Sequence, residues 1–380
     1  MSLKESSVTS DTQRVDSGLA DIVAAETTLS DVKGEEGRLV IAGYEVEDLA
    51  PNASFEQVVY LILHGDLPGI EELRSLKQQL SEYRLPEATK RILTEAAAAR
   101  VPIGDALPIG VETLRLGQKD PKDDPLAIIA GLQEIIPLYW RLSRQEVMIE
   151  NVDDSSTAGR FLHRLFDRKA TSDQIRALET YWNTVIDHGL NASTFSARVV
   201  ISTRSDLIGA VSAALNTLKG PLHGGAPGPA LDMVFEIGLE ENAEAVIRSK
   251  LEAGERLMGF GHRIYKIRDP RADVLSAAAK QLFSSEEDVA LYKLAQATES
   301  TAHRLLKEYK PGRRLDTNVE FYTALLLHGL QFSKELFTPT FAATRVVGWL
   351  AHAAEQLKSQ RIVRPASTYV GPINRKFVPR

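Results

Sequence analysis

The chain has 380 residues, 43% of them hydrophobic and 25% charged, with a formal net charge of −6. That is enough chain for about two or three domains and a substantial core. The acidic balance argues against a nucleic-acid-binding surface, so any anion site must be a local basic cluster. With no cysteine there are no disulfides, thiolate nucleophiles or Cys-ligated metals, and the eight histidines lack the spacing of a zinc site.

Residues 1–17 are polar and carry no apolar signal segment, so they are expected to be a disordered tail of a cytoplasmic protein. The most apolar stretch, from Pro125 to Trp140, is interrupted by Gln133 and Glu134 and is too short to span a membrane. Order is expected from Gly18. Residues 27–30 and 38–42 read as two short strands, a small hairpin around Asp31-Val32-Lys33-Gly34. From Ser54 the pattern turns helical: Ser54-Phe55-Glu56-Gln57 approximates a capping box, and the run stops at Gly65. Further helices are expected over 70–83, 87–99, 103–117 and 126–143, then from Ser172 to His188-Gly189, from Asn191 to about 201, and over 207–219. Residues 220–229 hold four glycines and three prolines around His223, a candidate hinge. Helices resume over 229–237, 243–253, 270–283 and 286–309. Another follows Thr317-Asn318 and ends at Gly329, and a last one runs from Thr338-Pro339 to about 357. This is a nearly all-α chain of roughly fourteen helical segments.

The densest chemistry lies in Met258-Gly259-Phe260-Gly261-His262-Arg263-Ile264-Tyr265-Lys266, running on to Asp269-Pro270-Arg271-Ala272. Two glycines allow a sharp turn or a close approach, and His262 suits proton work near neutral pH. Asp269 reads as a helix N-cap with Pro270 as the first helical residue, which would fix Arg271 in the first turn. A loop imidazole and an anchored guanidinium suit an anionic substrate with a polarisable carbonyl. A nucleotide-binding reading of Gly259 and Gly261 is poor, because Ile264 stands at the third glycine position and no strand precedes.

Gly220-Pro221-Leu222-His223-Gly224-Gly225-Ala226 presents a second loop imidazole. It could donate to a carbonyl turning into an enolate, or merely satisfy backbone groups. His64 reads as a cap for helix carbonyls, and His163, His328 and His352 read as structural. Thr317-Asn318-Val319-Glu320 is a capping box by spacing, with Glu320 at its third helical position, yet the same helix end would suit a catalytic base. Arg345 lies in an apolar helix and needs an internal salt bridge or a bound carboxylate. Arg364, before Pro365, could be a solvated charge or a second carboxylate clamp.

Taken together, the motifs resemble the citrate synthase family, in its short bacterial branch with the 2-methylcitrate synthases. They are Glu26-Thr27-Thr28-Leu29-Ser30, Gly37-Arg38-Leu39, His188-Gly189-Leu190-Asn191-Ala192-Ser193-Thr194-Phe195, the His223 loop, 258–272, Asn318-Val319-Glu320-Phe321-Tyr322, Phe337-Thr338-Pro339 and Val363-Arg364-Pro365. The resemblance runs from about Gly18 to the C-terminus. It implies an all-α, two-domain fold with a small domain over 216–318 closing on a large domain of 18–215 plus 319–380, assembled as a homodimer. It implies condensation of acetyl-CoA with oxaloacetate and hydrolysis of the citryl thioester, with acetyl-CoA as co-substrate and no tightly bound cofactor or metal. His223 matches the histidine that stabilises the acetyl-CoA enol, His262 the one that polarises the keto group, and Glu320 the methyl-deprotonating carboxylate. His188, Arg271 and Arg345 match oxaloacetate ligands, and Arg364 the arginine reaching in from the second subunit. Leu257, Gly259, Phe260 and Gly261 resemble the segment that takes the CoA adenine, with Lys266, Arg313 and Arg314 as candidate phosphate contacts. Two positions depart from the family pattern: Asp187 stands where many members have glutamate, and Glu320 where the usual base is aspartate. The alternatives are a 2-methylcitrate synthase using propionyl-CoA, or a catalytically weak paralogue that binds CoA or oxaloacetate.

Overall fold

The computed structural model describes residues 18–19, 22–150, 152, 154–223 and 227–377; the expected tail, 1–17, lies outside them. Three short strands come first: β1 (Ser30–Lys33), β2 (Arg38–Ile41) and β3 (Tyr44–Glu45), antiparallel and in that spatial order. Val32 pairs with Leu39, and Ile41 with both Ser30 and Tyr44. The expected two-stranded hairpin is therefore a three-stranded sheet, and its first strand begins three residues late. Thr28 cannot join the ladder, because Glu355 Oε1 accepts its N–H at 2.9 Å and its hydroxyl at 3.1 Å. The turn falls at Gly34 to Gly37 rather than at Asp31 to Gly34.

Sixteen α-helices follow among the described residues: α1 (Val46–Leu49), α2 (Phe55–His64), α3 (Ile70–Glu82), α4 (Glu87–Ala98), α5 (Ile103–Thr113), α6 (Pro125–Ser143), α7 (Thr157–Phe166), α8 (Ser172–Val185), α9 (Ala192–Ser202), α10 (Leu207–Leu218), α11 (Pro227–Ile237), α12 (Ala243–Glu252), α13 (Pro270–Leu282), α14 (Glu286–Tyr309), α15 (Val319–Gly329) and α16 (Phe337–Ser359). The α2 capping box forms as expected: Ser54 Oγ accepts from Gln57 N–H, and Gln57 Oε1 from Ser54 N–H. Sequence periodicity missed α7. Its buried face carries Arg160 and Arg164, which interrupt the apolar pattern. No helix among the described residues is long and apolar enough to cross a membrane.

The core gathers around α16, which is buried along almost its whole length and packs on α2, α6, α8, α9 and α10. A helix buried on all sides must satisfy its own polar residues. Gln133 Nε2 reaches the Ala343 carbonyl at 3.1 Å, and Trp182 Nε1 reaches that of Thr340 at 3.2 Å. Trp182 also holds Phe55 and Phe161, with ring centroids 4.7 and 5.1 Å away, contacts worth about 0.5–1.5 kcal/mol each beyond their buried area. In the second half of the chain α12 packs on α14 and α11 on α15, while α13 lies between α15 and α8. That arrangement sets the start of α13 and the start of α15 next to the end of α8.

Candidate active site

Four helix ends, one loop and one helix interior supply the functional side chains. His188 follows α8. It is 6% exposed, and its Nε2 is 3.1 Å from the Tyr265 hydroxyl. Its loop is fixed by Asp187, whose Oδ2 accepts the Ser30 hydroxyl at 2.5 Å and the Gly189 N–H at 3.2 Å. Burial works against the Asp187 carboxylate. His352, whose Nε2 lies 3.2 Å from Oδ1 but off the line of a hydrogen bond, outweighs that penalty together with Arg345 and Ser30, so the Asp187 pKa is lowered.

His262 stands in a loop whose two preceding glycines have left-handed backbones, φ +89° at Gly259 and +81° at Gly261, as expected of this motif. The loop is tied to the approach to α15: Gly261 N–H donates to the Asp316 carbonyl at 2.7 Å, Asn318 N–H to that of Gly259 at 3.0 Å, and Asn318 Nδ2 to that of Gly261 at 2.8 Å. His262 Nδ1 accepts two backbone N–H groups, from Ile264 and Tyr265, both at 3.1 Å. A nitrogen that accepts twice carries no proton, so the neutral ring bears its proton on Nε2. Burial, then Arg271, push the His262 pKa down to about 4. The rings of His188, His262 and Tyr265 pack as a trio with centroids 4.9 to 5.8 Å apart.

Arg271 is in the first turn of α13, as the Asp269-Pro270 signal predicted. Asp269 does more than cap. Its Oδ1 accepts Arg271 N–H at 3.1 Å and Nε at 3.0 Å, and its Oδ2 accepts the guanidinium NH2 at 2.8 Å and the Val319 N–H at 3.2 Å. One fully buried carboxylate thus orients the guanidinium and holds the first turn of α15. Arg345, on α16, is 2% exposed; its Nε donates to the Val185 carbonyl at 2.7 Å, and its guanidinium lies 4.5 Å over the Phe341 ring. Among the described residues it makes no salt bridge. Burial lowers its pKa to about 10, against the pull of Asp187.

Glu320 corrects the capping-box expectation. Asn318 is the N-cap, and its Oδ1 accepts the Glu320 N–H at 3.0 Å. Glu320 is then the second helical residue, and its carboxylate is not engaged in a box. Burial raises its pKa to about 7, although Arg271 and Arg345 both favour the ionised form.

His223 closes the set, just after α10. Its Nε2 is 2.8 Å from Ser193 Oγ, which also accepts Trp349 Nε1 at 3.1 Å and donates its proton to Asn191 Oδ1 at 2.8 Å. Burial, then Arg345, lower the His223 pKa to about 4. The rest of its loop, 224–226, lies outside the described residues.

The structure therefore gathers His188, His223, His262, Arg271, Glu320 and Arg345 around one cleft, each histidine feeling one or both arginines. Leu257 is buried and Phe260 half-buried, with the Phe260 ring tilted against that of Phe321 at 5.4 Å. Lys266, Arg313 and Arg314 are exposed, and Arg364 is exposed on the irregular C-terminal tail, not brought into the site by this chain alone. Sequence reasoning gave no role to Asp187, Ser193 or Tyr265, although all three stand within or beside the quoted motifs. His64 packs tilted on Tyr60 at 4.2 Å, His328 meets Phe235 edge-to-face at 5.1 Å, and His352 is fully buried. A cavity of about 260 Å³ lined by Arg84, Lys90, Glu134 and Arg164 includes none of the cleft residues.

The family model described as citrate synthase, C-terminal domain, matches residues 18–366. This chain belongs to the citrate synthase family. Citrate synthase 2 of Bacillus subtilis is 36% identical over 95% of this chain and 97% of its own. A 2-methylcitrate synthase of Shewanella oneidensis is also 36% identical, over 95% and 96%. Among solved structures, the citrate synthase of Thermoplasma acidophilum, in a ternary complex with carboxymethyl coenzyme A and oxaloacetate, aligns with a TM-score of 0.86 at 32% identity, covering 97% of this chain and 99% of that one. The citrate synthase of Pyrobaculum aerophilum aligns with a TM-score of 0.85 at 34% identity, over 95% and 94%. The fold is thus the all-α citrate synthase fold, and the chain is an enzyme of that transferase family.

Proposed function

We propose that this enzyme condenses acetyl-CoA with oxaloacetate to give citrate and CoA, as a cytoplasmic homodimer in which 216–318 closes as a small domain over the large one. The observation that carries the reading is a carboxylate held near pKa 7 beside two neutral imidazoles and two buried arginines. A general base works best with a pKa near the operating pH, and neutral imidazoles can donate hydrogen bonds to developing oxyanions.

In this reading Glu320 takes a proton from the thioester methyl. The neutral His223 ring, held by Ser193, donates an N–H to the thioester oxygen as the enol forms. The enol carbon attacks the keto carbon of oxaloacetate. His262 Nε2–H donates to the keto oxygen, which gains charge in the same step. Arg271, Arg345 and His188 hold the two carboxylates, joined by Arg364 from the second subunit. Water then hydrolyses the citryl thioester. Leu257, Gly259, Phe260 and Gly261 take the adenine, and Lys266, Arg313 and Arg314 approach the CoA phosphates.

Thiol release from acetyl-CoA that depends on oxaloacetate tests the proposal, and its absence in folded enzyme overturns it. The equal identity to a 2-methylcitrate synthase supports one competing reading, in which propionyl-CoA is the substrate. A kcat/KM for propionyl-CoA above that for acetyl-CoA would select it.

A further inference from the structure

The sheet touches two of the three site histidine loops, those of His188 and His262. Through β1, Ser30 Oγ accepts Gly189 N–H at 2.7 Å while donating to Asp187, and so holds the His188 loop. Through the β1–β2 turn, the Gly34 carbonyl accepts Lys266 N–H at 3.0 Å, and so holds the loop after His262. At Gly34 the approach is closer than any side chain permits. A Cβ there would stand 2.2 Å from the Ile264 carbonyl oxygen and 2.7 Å from its carbon. Those are backbone atoms, which cannot swing aside as a side-chain tip can. The nearby ion pair of Glu35 with Arg314, at 3.6 Å, joins the turn to the approach to α15, not to this loop, and being mostly exposed on both sides it contributes little. The missing side chain at Gly34, with that of Gly37 against Ile267 and Arg268, is therefore what lets the turn seat against the segment after His262.

The peptide against Gly34, Ile264 C=O to Tyr265 N–H, is one that reads the His262 ring. Its own Tyr265 N–H and the Ile264 N–H of the preceding peptide both point at His262 Nδ1. We infer that Gly34 is a positioning residue for His262: the turn presses the 264–266 backbone into the place where its two N–H groups hold Nδ1 unprotonated and aim Nε2–H at the cleft. The inference rests on the proposed role of His262 for its consequence, but its geometry stands whatever the enzyme condenses. Gly34 has no left-handed backbone, so alanine can adopt its conformation and acts as a purely steric probe.

The test is long-range 1H–15N correlation of the histidine rings at pH 7 in the full-length enzyme, with the His262 signals assigned from a His262→Gln variant. Wild type should show Nδ1 unprotonated and Nε2 protonated. Gly34→Ala should move both nitrogens toward the tautomer average and lower kcat on the order of 10-fold, since displacement of a catalytic group by about 1 Å costs up to about 100-fold. Gly43→Ala, which strains the β2–β3 turn at φ +91° with no atom within 4 Å of the added Cβ, should cost thermal stability and leave the His262 signals in place. Three results would overturn the inference: a wild-type Nδ1 that carries the proton, unmoved His262 signals in folded Gly34→Ala, or the same movement in Gly43→Ala. A Gly34→Ala chain that fails to fold also counts against it, because the contact would then serve the fold rather than the histidine. If wild type releases no thiol while the ring signals behave as expected, the proposed reaction fails and the positioning stands.

Discussion

Replacing Glu320 by glutamine removes the base and its ionisation in one step, so activity and stability should move in opposite directions. Burial raises the Glu320 carboxyl from an ordinary 4.5 to about 7 in the folded enzyme. A folded-state pKa above the unfolded one means that the native state holds its proton more tightly. Stability linked to this group is thus full below about pH 4.5 and is lost as pH rises through about 7. At about 1.4 kcal/mol per unit the full loss has an upper limit of about 3 kcal/mol, reduced by the partial exposure of the side chain to the cleft. Glutamine does not ionise and escapes the loss. Glu320→Gln should therefore melt within about a degree of wild type near pH 5 and a few degrees above it at pH 8, taking roughly 1–2 °C per kcal/mol for a chain of this size. Its turnover should fall by about 10²–10⁴-fold, the usual contribution of a positioned base, and wild-type turnover should rise with pH through about 7. Thiol release and thermal melts from pH 5 to 9 read both. A melting gap that stays constant with pH, or a glutamine variant keeping a tenth of wild-type turnover, would refute the reasoning.

Arg345→Lys should raise KM for oxaloacetate by roughly 10–100-fold with a smaller change in KM for acetyl-CoA, since lysine cannot present the guanidinium fork to a carboxylate; steady-state kinetics with each substrate varied will check it. Gly348→Ala places a Cβ 2.6 Å from the Ile186 carbonyl oxygen and 2.7 Å from Asp187 Oδ1, so it should lower stability by about 1–3 kcal/mol and weaken oxaloacetate binding through the His188 loop, read by melts and KM. Mixing inactive Glu320→Gln and Arg364→Ala chains through a dissociation step should restore about a quarter of wild-type activity. Half the dimers would be mixed, and one of their two sites complete, if Arg364 acts across a two-fold interface; no recovery would place Arg364 in the site of its own subunit.

Most of the fold was legible because its helices carry regular apolar spacing and conventional caps, as at Ser54 and Asp269. The exceptions have physical causes. α7 was missed because Arg160 and Arg164 are buried where apolar residues would mark its inner face. β1 was misplaced because Thr28 is claimed by Glu355, far away in sequence. At the site, the motif residues were legible but their supports were not. Asp269 looked like a cap and is also the clamp on Arg271, and Glu320 looked like part of a capping box until Asn318 took the cap by itself. A spacing rule identifies a residue able to make a contact; it cannot tell which of two neighbours makes it.

The freed Glu320 carboxylate sits between opposing influences, and the balance depends on what fills the cleft. Burial pushes its pKa up, while the positive charges of Arg271 and Arg345 pull it down. In the proposed complex those guanidinium groups are paired with the carboxylates of oxaloacetate. Their pull on Glu320 is then offset by two negative charges at similar range, and the same burial raises the pKa further. The base should therefore be stronger with oxaloacetate bound than without it. The profile of kcat/KM for oxaloacetate reports the enzyme before that pairing, and the profile of kcat reports the filled site. The acid limb of kcat should accordingly lie at higher pH than that of kcat/KM. An acid limb of kcat at lower pH would mean that the arginines keep their hold on Glu320 in the complex, and that oxaloacetate is bound by other groups.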